Sequence, residues 1–245
     1  MASPVELYQR EMHKNVGFFA TWLPASILEL GDLGVLEAGR FRRIGSLKEL
    51  GITELPVREG TAGTMSYSAS AERNTGVSAG ASTALPVAKA ELSIRFAQKG
   101  GYVFEATGIR NFEIADRMAL ADRILSFYEQ GRWQKEWLLV DAVYRAASAT
   151  VIVSEETSSE IVLKASGNIP LGSLPLTDPN LGLSVSSSHG KIVHVVAQNN
   201  LTPLYSGVKV RDPLIGSPSV EPVRGLANKG SEALMRAAIE ELLSS

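Results

Sequence analysis

The chain has 245 residues, long enough for a domain with a sizeable core, and 44% of them are hydrophobic and 20% charged, which excludes an intrinsically disordered protein. Its net charge of -2 argues against nucleic acid as a partner, because phosphate binding needs a basic excess. It has no cysteine, so disulfides, thiolate catalysis and cysteine-based zinc sites are excluded.

The first residues predict a short amphipathic helix over 3–14. Ser3 can cap this helix, Pro4 suits its first turn, and apolar side chains recur on one face at Val5, Tyr8 and Met12. The segment lacks the cationic and apolar regions of a secretory signal, and no uncharged apolar run reaches 18 residues, so we expect neither a signal peptide nor a transmembrane helix. The β-branched and aromatic run "VGFFATWLP" (16–24) then predicts a strand.

Residues 28–52 contain several glycines, which predict short strands and turns with one helical turn at 46–50. This region carries a compact basic patch, formed by Arg40, Arg42 and Arg43. Two interpretations stay open for the patch. It is either a solvated loop or a contact for anionic lipid headgroups, which is worth about 1 kcal/mol per cation.

Residues 60–96 form an unusual ribbon that has the alternation of strands but mostly small polar side chains. Only five of the 37 residues are charged. Apolar side chains at alternate positions predict three strands: Met65, Tyr67, Ala69 and Ala71, then Val77, Ala79 and Ala81, then Leu92, Ile94 and Phe96. Such strands bury little apolar area, so the ribbon is a poor design for a stable core.

The run "NFEIADRMALADRILSFYEQ" (111–130) predicts a helix that Asn111 caps and Gly131 ends. Its predicted apolar face consists of Ile114, Met118, Ala121, Leu125 and Tyr128. The following segment, 137–153, fits both a long strand and a helix on spacing alone.

Four more apolar-rich strands are predicted after this segment, at 160–165, 181–186, 191–197 and 204–210. The pattern as a whole predicts an α+β fold, in which two or three helices pack against a mainly β sheet.

The C-terminal part differs in composition. Residues 211–230 hold three prolines and three glycines and predict an exposed linker. Ser231 then caps "EALMRAAIEELL", a short helix whose narrow apolar stripe consists of Met235, Ala238, Ile239 and Leu242. A helix of this length is marginal by itself in water, so we expect the stripe to dock elsewhere on the protein.

Catalytic and metal-binding patterns are weak, and we predict no enzyme and no cofactor. His13 is expected on the polar face of the first helix, His189 in a solvated turn and His194 within a strand, without the spacing of a metal site. The carboxylates of Glu155, Glu156 and Glu160 are best interpreted as a solvated hairpin tip.

The order of these segments resembles the pore-forming domain of gasdermins, especially the small bacterial gasdermins, over most of residues 4–211. The resemblance lies in "NVGFFATWLP", "LELGDLGVL", the low-charge ribbon, a helix ending in "RILSFYEQGRW", "LVDAVYRAASATVIVS" and "HVVAQNNLTPLYSGVKVRD". In gasdermins the segment after the helix is a long strand, which favours a strand at 137–153. The resemblance also implies a twisted, mainly antiparallel central sheet with a few flanking helices.

The resemblance implies a function as well. Gasdermins are stored as latent monomers, and after proteolysis they oligomerise on a membrane and form a β-barrel pore from two refolded hairpins. Here the first hairpin would come from the ribbon and the second from about 148–166 and 181–198. The implied membrane-inserting residues are the alternating side chains of the ribbon up to Ala81, together with Ile161, Leu163, Leu183 and Val185.

In this view residues 1–211 are the pore-forming domain, 212–230 a linker with the cleavage region, and 231–245 an autoinhibitory helix near the first helix. The expected cleavage region is Arg224, Gly225 and Leu226. The partners would be an activating protease, membrane lipids and further copies of the chain. The latent protein would be cytoplasmic and the cleaved one would kill its own cell from the cell membrane, in antiphage defence. The competing interpretation is a soluble α+β binding or adaptor domain.

Overall fold

The structure is a computed structural model that describes residues 4–21, 27–37, 40–78, 89–165, 176–177, 184–214 and 216–223. The described residues form two helices and thirteen strands, and all strand pairings among them are antiparallel. The predicted α+β class and antiparallel sheet are confirmed. In chain order the elements are α1 (Pro4–Val16), β1 (Phe19–Ala20), β2 (Asp32–Glu37), β3 (Arg40–Ser46), β4 (Val57–Glu59), β5 (Gly63–Ala69), β6 (Ala71–Ser78), β7 (Lys89–Phe96), β8 (Tyr102–Ile114), α2 (Arg117–Glu129), β9 (Leu138–Ser154), β10 (Ser159–Lys164), β11 (Ser184–His189), β12 (Ile192–Arg211) and β13 (Ser219–Pro222).

The larger sheet is organised around β9, whose 17 residues are nearly all buried. β12 pairs along one side of β9, while β8 and β2 share the other side. β5 and β4 extend the sheet beyond β8, and β1 and β13 pair with β12. The near-continuous β-branched and apolar sequence of β9 explains its place at the centre, since both of its faces are covered.

α1 covers one face of this sheet. Its Tyr8 and Met12 are fully buried and belong to one core cluster with Tyr102, Phe104 and Val151. The predicted helix and its apolar face are confirmed at these two positions. At the other end of the sheet, α2 buries Leu120 and Ile124 in a separate cluster.

A smaller sheet has the strand order β11-β10-β7-β6. Its apolar side chains pack against Val103 and Ile152 of the larger sheet, on the face opposite to α1. The members contributed by the smaller sheet are Leu92, Ile94, Phe96, Ile161 and Leu163.

The strand predicted over 16–24 is largely wrong. The helix continues to Val16 and ends at Gly17, which has a φ of +80° and donates its N–H to the carbonyl of His13 at 2.8 Å. Only Phe19–Ala20 pairs with another strand, and 22–26 lies outside the described residues. A left-handed residue directly after the helix turns the chain, so a β-branched and aromatic run does not make a long strand here.

The start and the apolar face predicted for the second helix are wrong. Residues 111–114 are the end of β8, because pairing with β4 and β9 outweighs the helical spacing. Asp116 caps the helix, and its Oδ1 accepts the N–H of Ala119 at 3.0 Å. Met118 is 84% exposed, and the buried face is that of Leu120 and Ile124.

The strand interpretation of 137–153 is confirmed by β9. The strands predicted at 191–197 and 204–210 belong to the single strand β12, which absorbs the intervening residues in register shifts between Gln198 and Leu204. The predicted exposed linker is wrong at 219–222, because β13 pairs with β12 there. Apolar contacts of Val220 and Val223 outweigh the loop-like composition around them.

Candidate functional site

Two long hairpins dominate the structure, and each is divided into an inner and an outer part. In the first hairpin β5 pairs with β8 in the larger sheet, and β6 pairs with β7 in the smaller one. In the second hairpin β9 pairs with β12 in the larger sheet, and β10 pairs with β11 in the smaller one. Every strand of the smaller sheet is therefore the continuation of a strand in the larger sheet.

The first hairpin is broken at Ser70 and at 97–101. Ser70 has a φ of +53°, which is unusual for a residue with a side chain, and Gly100 has a φ of +81°. The carbonyl of Ser70 accepts the N–H of Ala97 at 3.1 Å across the break.

The second hairpin is broken at 155–158 and at 190–191. Ser158 and Gly190 have φ values of +58° and +77°, and Glu155 donates its N–H to the carbonyl of Lys191 at 2.8 Å. A Cβ on Gly190 would lie 2.8 Å from the Cβ of Ser159, so only glycine fits this bend.

Both breaks lie at the same level of the larger sheet. Tyr102, the first residue of β8, pairs with Val153 near the end of β9. Beyond this pair Ser154 exchanges two backbone hydrogen bonds of 2.9 Å, one with Gly100 and one with Gly101. The two hairpins therefore bend together, and their outer parts pair with each other along β7 and β10.

Two sets of apolar residues stay in phase across the breaks, while Val103 and Ile152 lie on the opposite face of the same strands. Along β7 and β8 they fall on even positions: Leu92, Ile94 and Phe96 before the break, then Tyr102, Phe104 and Ala106 after it. Along β9 and β10 they fall on odd positions: Ala149, Val151 and Val153 before the break, then Ile161 and Leu163 after it. In the bent shape the inner set faces α1 and the outer set faces Val103 and Ile152. Since side chains alternate along a strand, an uninterrupted strand would place both sets on one face.

The opposite face of the smaller sheet carries charges that are matched between strands. Arg95 Nε lies 3.2 Å from Glu160 Oε1, and Lys164 Nζ lies 2.9 Å from Glu91 Oε1. The hydrogen bond from Ser93, together with Arg95, lowers the pKa of Glu160 below its ordinary value. β11 continues this polar character, because all six of its residues are exposed.

The residues of the predicted membrane-inserting set lie at different positions in the structure, and their insertion stays a prediction. Met65, Tyr67 and Ala69 are partly buried against the α1 cluster and alternate with exposed Ser66 and Ser68. The remaining members have mixed positions: Ala71 packs against the cluster under the smaller sheet, Ile161 and Leu163 are buried in it, Val185 is 48% exposed, Val77 lies in β6, and Ala79, Ala81 and Leu183 lie outside the described residues.

Within the basic patch, two of the three arginines are paired with carboxylates. Arg42 Nη2 lies 2.8 Å from Glu37 Oε1, and Arg43 Nε lies 2.7 Å from Oδ1 of the buried Asp32. Arg40 is exposed at the start of β3. The headgroup contact stays a prediction, and the ion pairs make Arg40 its best candidate.

The last described residue, Val223, lies against the end of α1. Its side chain is 9% exposed and belongs to the same cluster as Phe19. His13 lies beside the backbone of Val223 and packs on Phe19, with ring centroids 4.3 Å apart. His13 therefore does not lie on a polar face as predicted. The predicted cleavage region (Arg224, Gly225, Leu226) and the predicted inhibitory contacts (Met235, Ala238, Ile239, Leu242) lie outside the described residues.

Sequence reasoning missed two parts of this arrangement. It gave 102–110 no strand, although β8 is the bridge between the inner and outer parts of the first hairpin. It also missed Glu105, a nearly buried carboxylate on β8 that contacts Arg73 of β6 and the backbone of Leu176. The alternation of "YVFEATGI" could have revealed the strand, but not the partners of Glu105.

Comparison with known proteins gave one kind of match. No protein-family model matches the chain, and no curated protein matches its sequence. Among solved structures, the chain is similar to one described as a cryo-EM structure of the gasdermin A3 membrane pore, with 10% identity, a TM-score of 0.36, and coverage of 93% of this chain and 96% of that one. Neither helix in the described part of the chain has the length and apolar character required to cross a bilayer.

Proposed function

We propose that this chain is a latent pore-forming protein of the gasdermin type. Removal of a short C-terminal segment by a protease would release it, and several copies would then assemble in a membrane as a β-barrel pore that kills the cell. The antiphage role and the cytoplasmic location of the latent form belong to the same proposal. The sequence resemblance motivates it.

The observation that carries the proposal is the phase of the apolar residues across the two breaks. A protein that needed only the bent shape would have no reason to keep its inner and outer apolar sets on one face of an imagined straight strand. A pore strand needs this arrangement, with one face towards lipid and the other towards water. Once straight, β5, Ser70 and β6 would extend over about 50 Å, at about 3.3 Å per residue. These 16 residues exceed the roughly 9–11 residues that a membrane-spanning strand requires.

The small polar residues also suit a protein with two shapes. The smaller sheet has edge strands β6 and β11, and an apolar edge would pair prematurely with other copies. The serines of β11 keep that edge hydrated in the bent shape.

The position of Val223 supports a link between the tail and α1. The tail leaves the described fold beside His13, so a segment beyond 223 starts within reach of the α1 surface. We propose that Met235, Ile239 and Leu242 cover this region until cleavage within 224–230, beyond the paired strand β13, removes them.

The direct test is dye release from vesicles of phosphatidylethanolamine and phosphatidylglycerol. In the full chain, residues 224–230 are replaced by the recognition sequence of an added site-specific protease. We expect release only after the protease is added, and none from a matched chain with a scrambled site. A cut chain that stays folded but releases no dye would refute the pore and favour the soluble binding or adaptor domain.

A second test uses the absence of cysteine from the chain. Single variants Ala71→Cys and Ser93→Cys are labelled with an environment-sensitive dye, since the two positions belong to opposite faces of the first hairpin. On cleavage with vesicles, the label at 71 should shift to the blue and be quenched by lipid-borne quenchers. The label at 93 should stay in water. Equal quenching at both positions would contradict the proposed strand.

A further inference from the structure

Glu105 contacts the outer parts of both hairpins through the two oxygens of its carboxylate. It projects from β8 towards the smaller sheet, and its side chain is only 13% exposed. Its Oε1 forms an ion pair with Nη1 of Arg73 on β6. Its Oε2 accepts the backbone N–H of Leu176 at 2.9 Å.

The Arg73–Glu105 pair exists only while the first hairpin is bent. In the ladder Glu105 lies opposite Ser66 of β5, and Arg73 follows seven residues later in the chain, on β6. In a straight hairpin the two residues would therefore be separated by about 23 Å along the strand, at about 3.3 Å per residue. Straightening must break the pair.

Leu176 links Glu105 to the second hairpin, because it lies in the connection between β10 and β11. Its side chain is 2% exposed in the cluster between the two sheets. Its carbonyl accepts Thr150 Oγ1 at 2.7 Å, and the carbonyl of Thr177 accepts Ser148 Oγ at 2.9 Å. Glu105, Thr150 and Ser148 thus hold this connection on the larger sheet.

We propose that Glu105 is a shared latch that couples the release of the two hairpins. One carboxylate holds β6 through Arg73 and the second hairpin through Leu176, so neither outer part can leave without removing a partner from a nearly buried charge. Leaving such a charge unpaired is costly, which favours release of both parts together. The inference builds on the proposed function, since a latch matters only if the hairpins straighten.

The test is hydrogen exchange measured by mass spectrometry on the full chain in solution, without membrane. Arg73→Ala should speed exchange in 71–78 and 89–96 by about tenfold or more, the effect of losing a hydrogen bond to a charged group. Thr150→Val should speed it most in 159–164, less in 89–96, which pairs with that strand, and not in 71–78. Glu105→Ala should speed it in all three segments. Arg95→Ala is the matched control, because it removes a more exposed ion pair within the smaller sheet, and we expect less than about threefold.

A Glu105→Ala effect limited to the first hairpin, or no larger than that of Arg95→Ala, would overturn the latch. If Glu105→Ala does not fold, Glu105→Gln replaces it. The amide oxygen can still accept from Leu176, so this variant should match Arg73→Ala, and wild-type exchange in it would overturn the proposal. Dye release is scored separately. If the variants show the expected exchange pattern but none of them releases dye after cleavage, the pore is refuted and the latch is supported.

Discussion

The ring of Tyr8 in α1 meets the ring of Tyr102 edge-on, with centroids 5.1 Å apart and an interplanar angle of 68°. Both side chains are fully buried, and Tyr102 is the first residue of β8 after the break. The contact fixes the helix to the base of the first hairpin.

The Tyr8 hydroxyl has no hydrogen-bond partner among the described residues, and burial, with Tyr102 nearby, raises its pKa. We expect Tyr8→Ala to lower the free energy of unfolding by about 3–5 kcal/mol, because it leaves a cavity. Tyr8→Phe should cost nothing or stabilise by up to about 1 kcal/mol, since it removes an unsatisfied polar group. Urea unfolding measures both. A phenylalanine variant as unstable as the alanine variant would show that the hydroxyl is in fact satisfied.

Gly108 has a φ of +60°, and a Cβ there would lie 2.9 Å from the Cβ of Ala147 on β9. We expect Gly108→Ala to lower the free energy of unfolding by about 1–3 kcal/mol, the cost of a left-handed residue with a side chain plus the close contact. Gly63→Ala is the control, because a Cβ there meets open space. The control should change the value by less than about 1 kcal/mol. Equal losses in both variants would contradict the left-handed backbone and the close contact at Gly108.

Stability should fall on mild acidification. Burial lowers the pKa of His13 and of His194 below the ordinary 6.5, although the nearby backbone of Val223 opposes this at His13. The unfolded chain then binds protons at higher pH than the folded chain. The free energy that these neutral, buried imidazoles contribute to folding is therefore fully present above pH 6.5. It is lost as the pH falls through their pKa values in the folded protein.

Urea unfolding at a series of pH values from about 7.5 to 5.5 checks this, and His194→Gln should flatten the dependence. The lowered pKa values of Glu37 and Glu160 act below their ordinary 4.5 and do not overlap this window. A free energy that rises on acidification would contradict the burial of the imidazoles.

Two arginines of the basic patch are expected to have different roles: Arg43 stabilises the fold, and Arg40 is a candidate lipid contact. Arg43→Gln should lower the urea midpoint, because it removes the partner of the buried Asp32. Arg40→Gln should leave the midpoint unchanged and weaken binding of the cleaved protein to anionic vesicles about fivefold, since one cation near such a surface is worth about 1 kcal/mol. Flotation with neutral vesicles is the control. An Arg40 variant that binds anionic vesicles as tightly as the parent would remove this residue from the headgroup contact.

The sequence predicted those parts of the fold that depend on local alternation and capping. α1 with Tyr8 and Met12 inside and the ribbon around Tyr67 follow from spacing alone. The position of α2 does not follow from spacing, because residues 111–114 satisfy both a helical and a strand pattern. Only pairing with β4 and β9 decides between the two. A short sequence does not contain that long-range information.

The candidate site was predictable in composition but not in shape. The alternating residues and the low charge of the ribbon indicated strands with a polar face. The bends were hidden, since Ser70 and Ser158 adopt a left-handed backbone that their residue type does not favour. Glu105 was equally hidden, because its partners come from residues 32 positions earlier and 71 positions later in the chain.

The close contact between Gly100 and α1 links undocking of the helix to straightening of the first hairpin. A Cβ at this position would lie 2.7 Å from Cδ1 and 2.9 Å from Cβ of Leu7 in α1, so the helix rests directly on the backbone that must change when the first hairpin straightens. If the hairpin straightens as proposed, undocking of α1 would have to precede or accompany that rearrangement, and α1 would act as a gate on the N-terminal side of the molecule. Amide protection of α1 and of 89–96 should disappear with a common time course after cleavage, and loss of the 89–96 protection while α1 stays protected would rule the gate out.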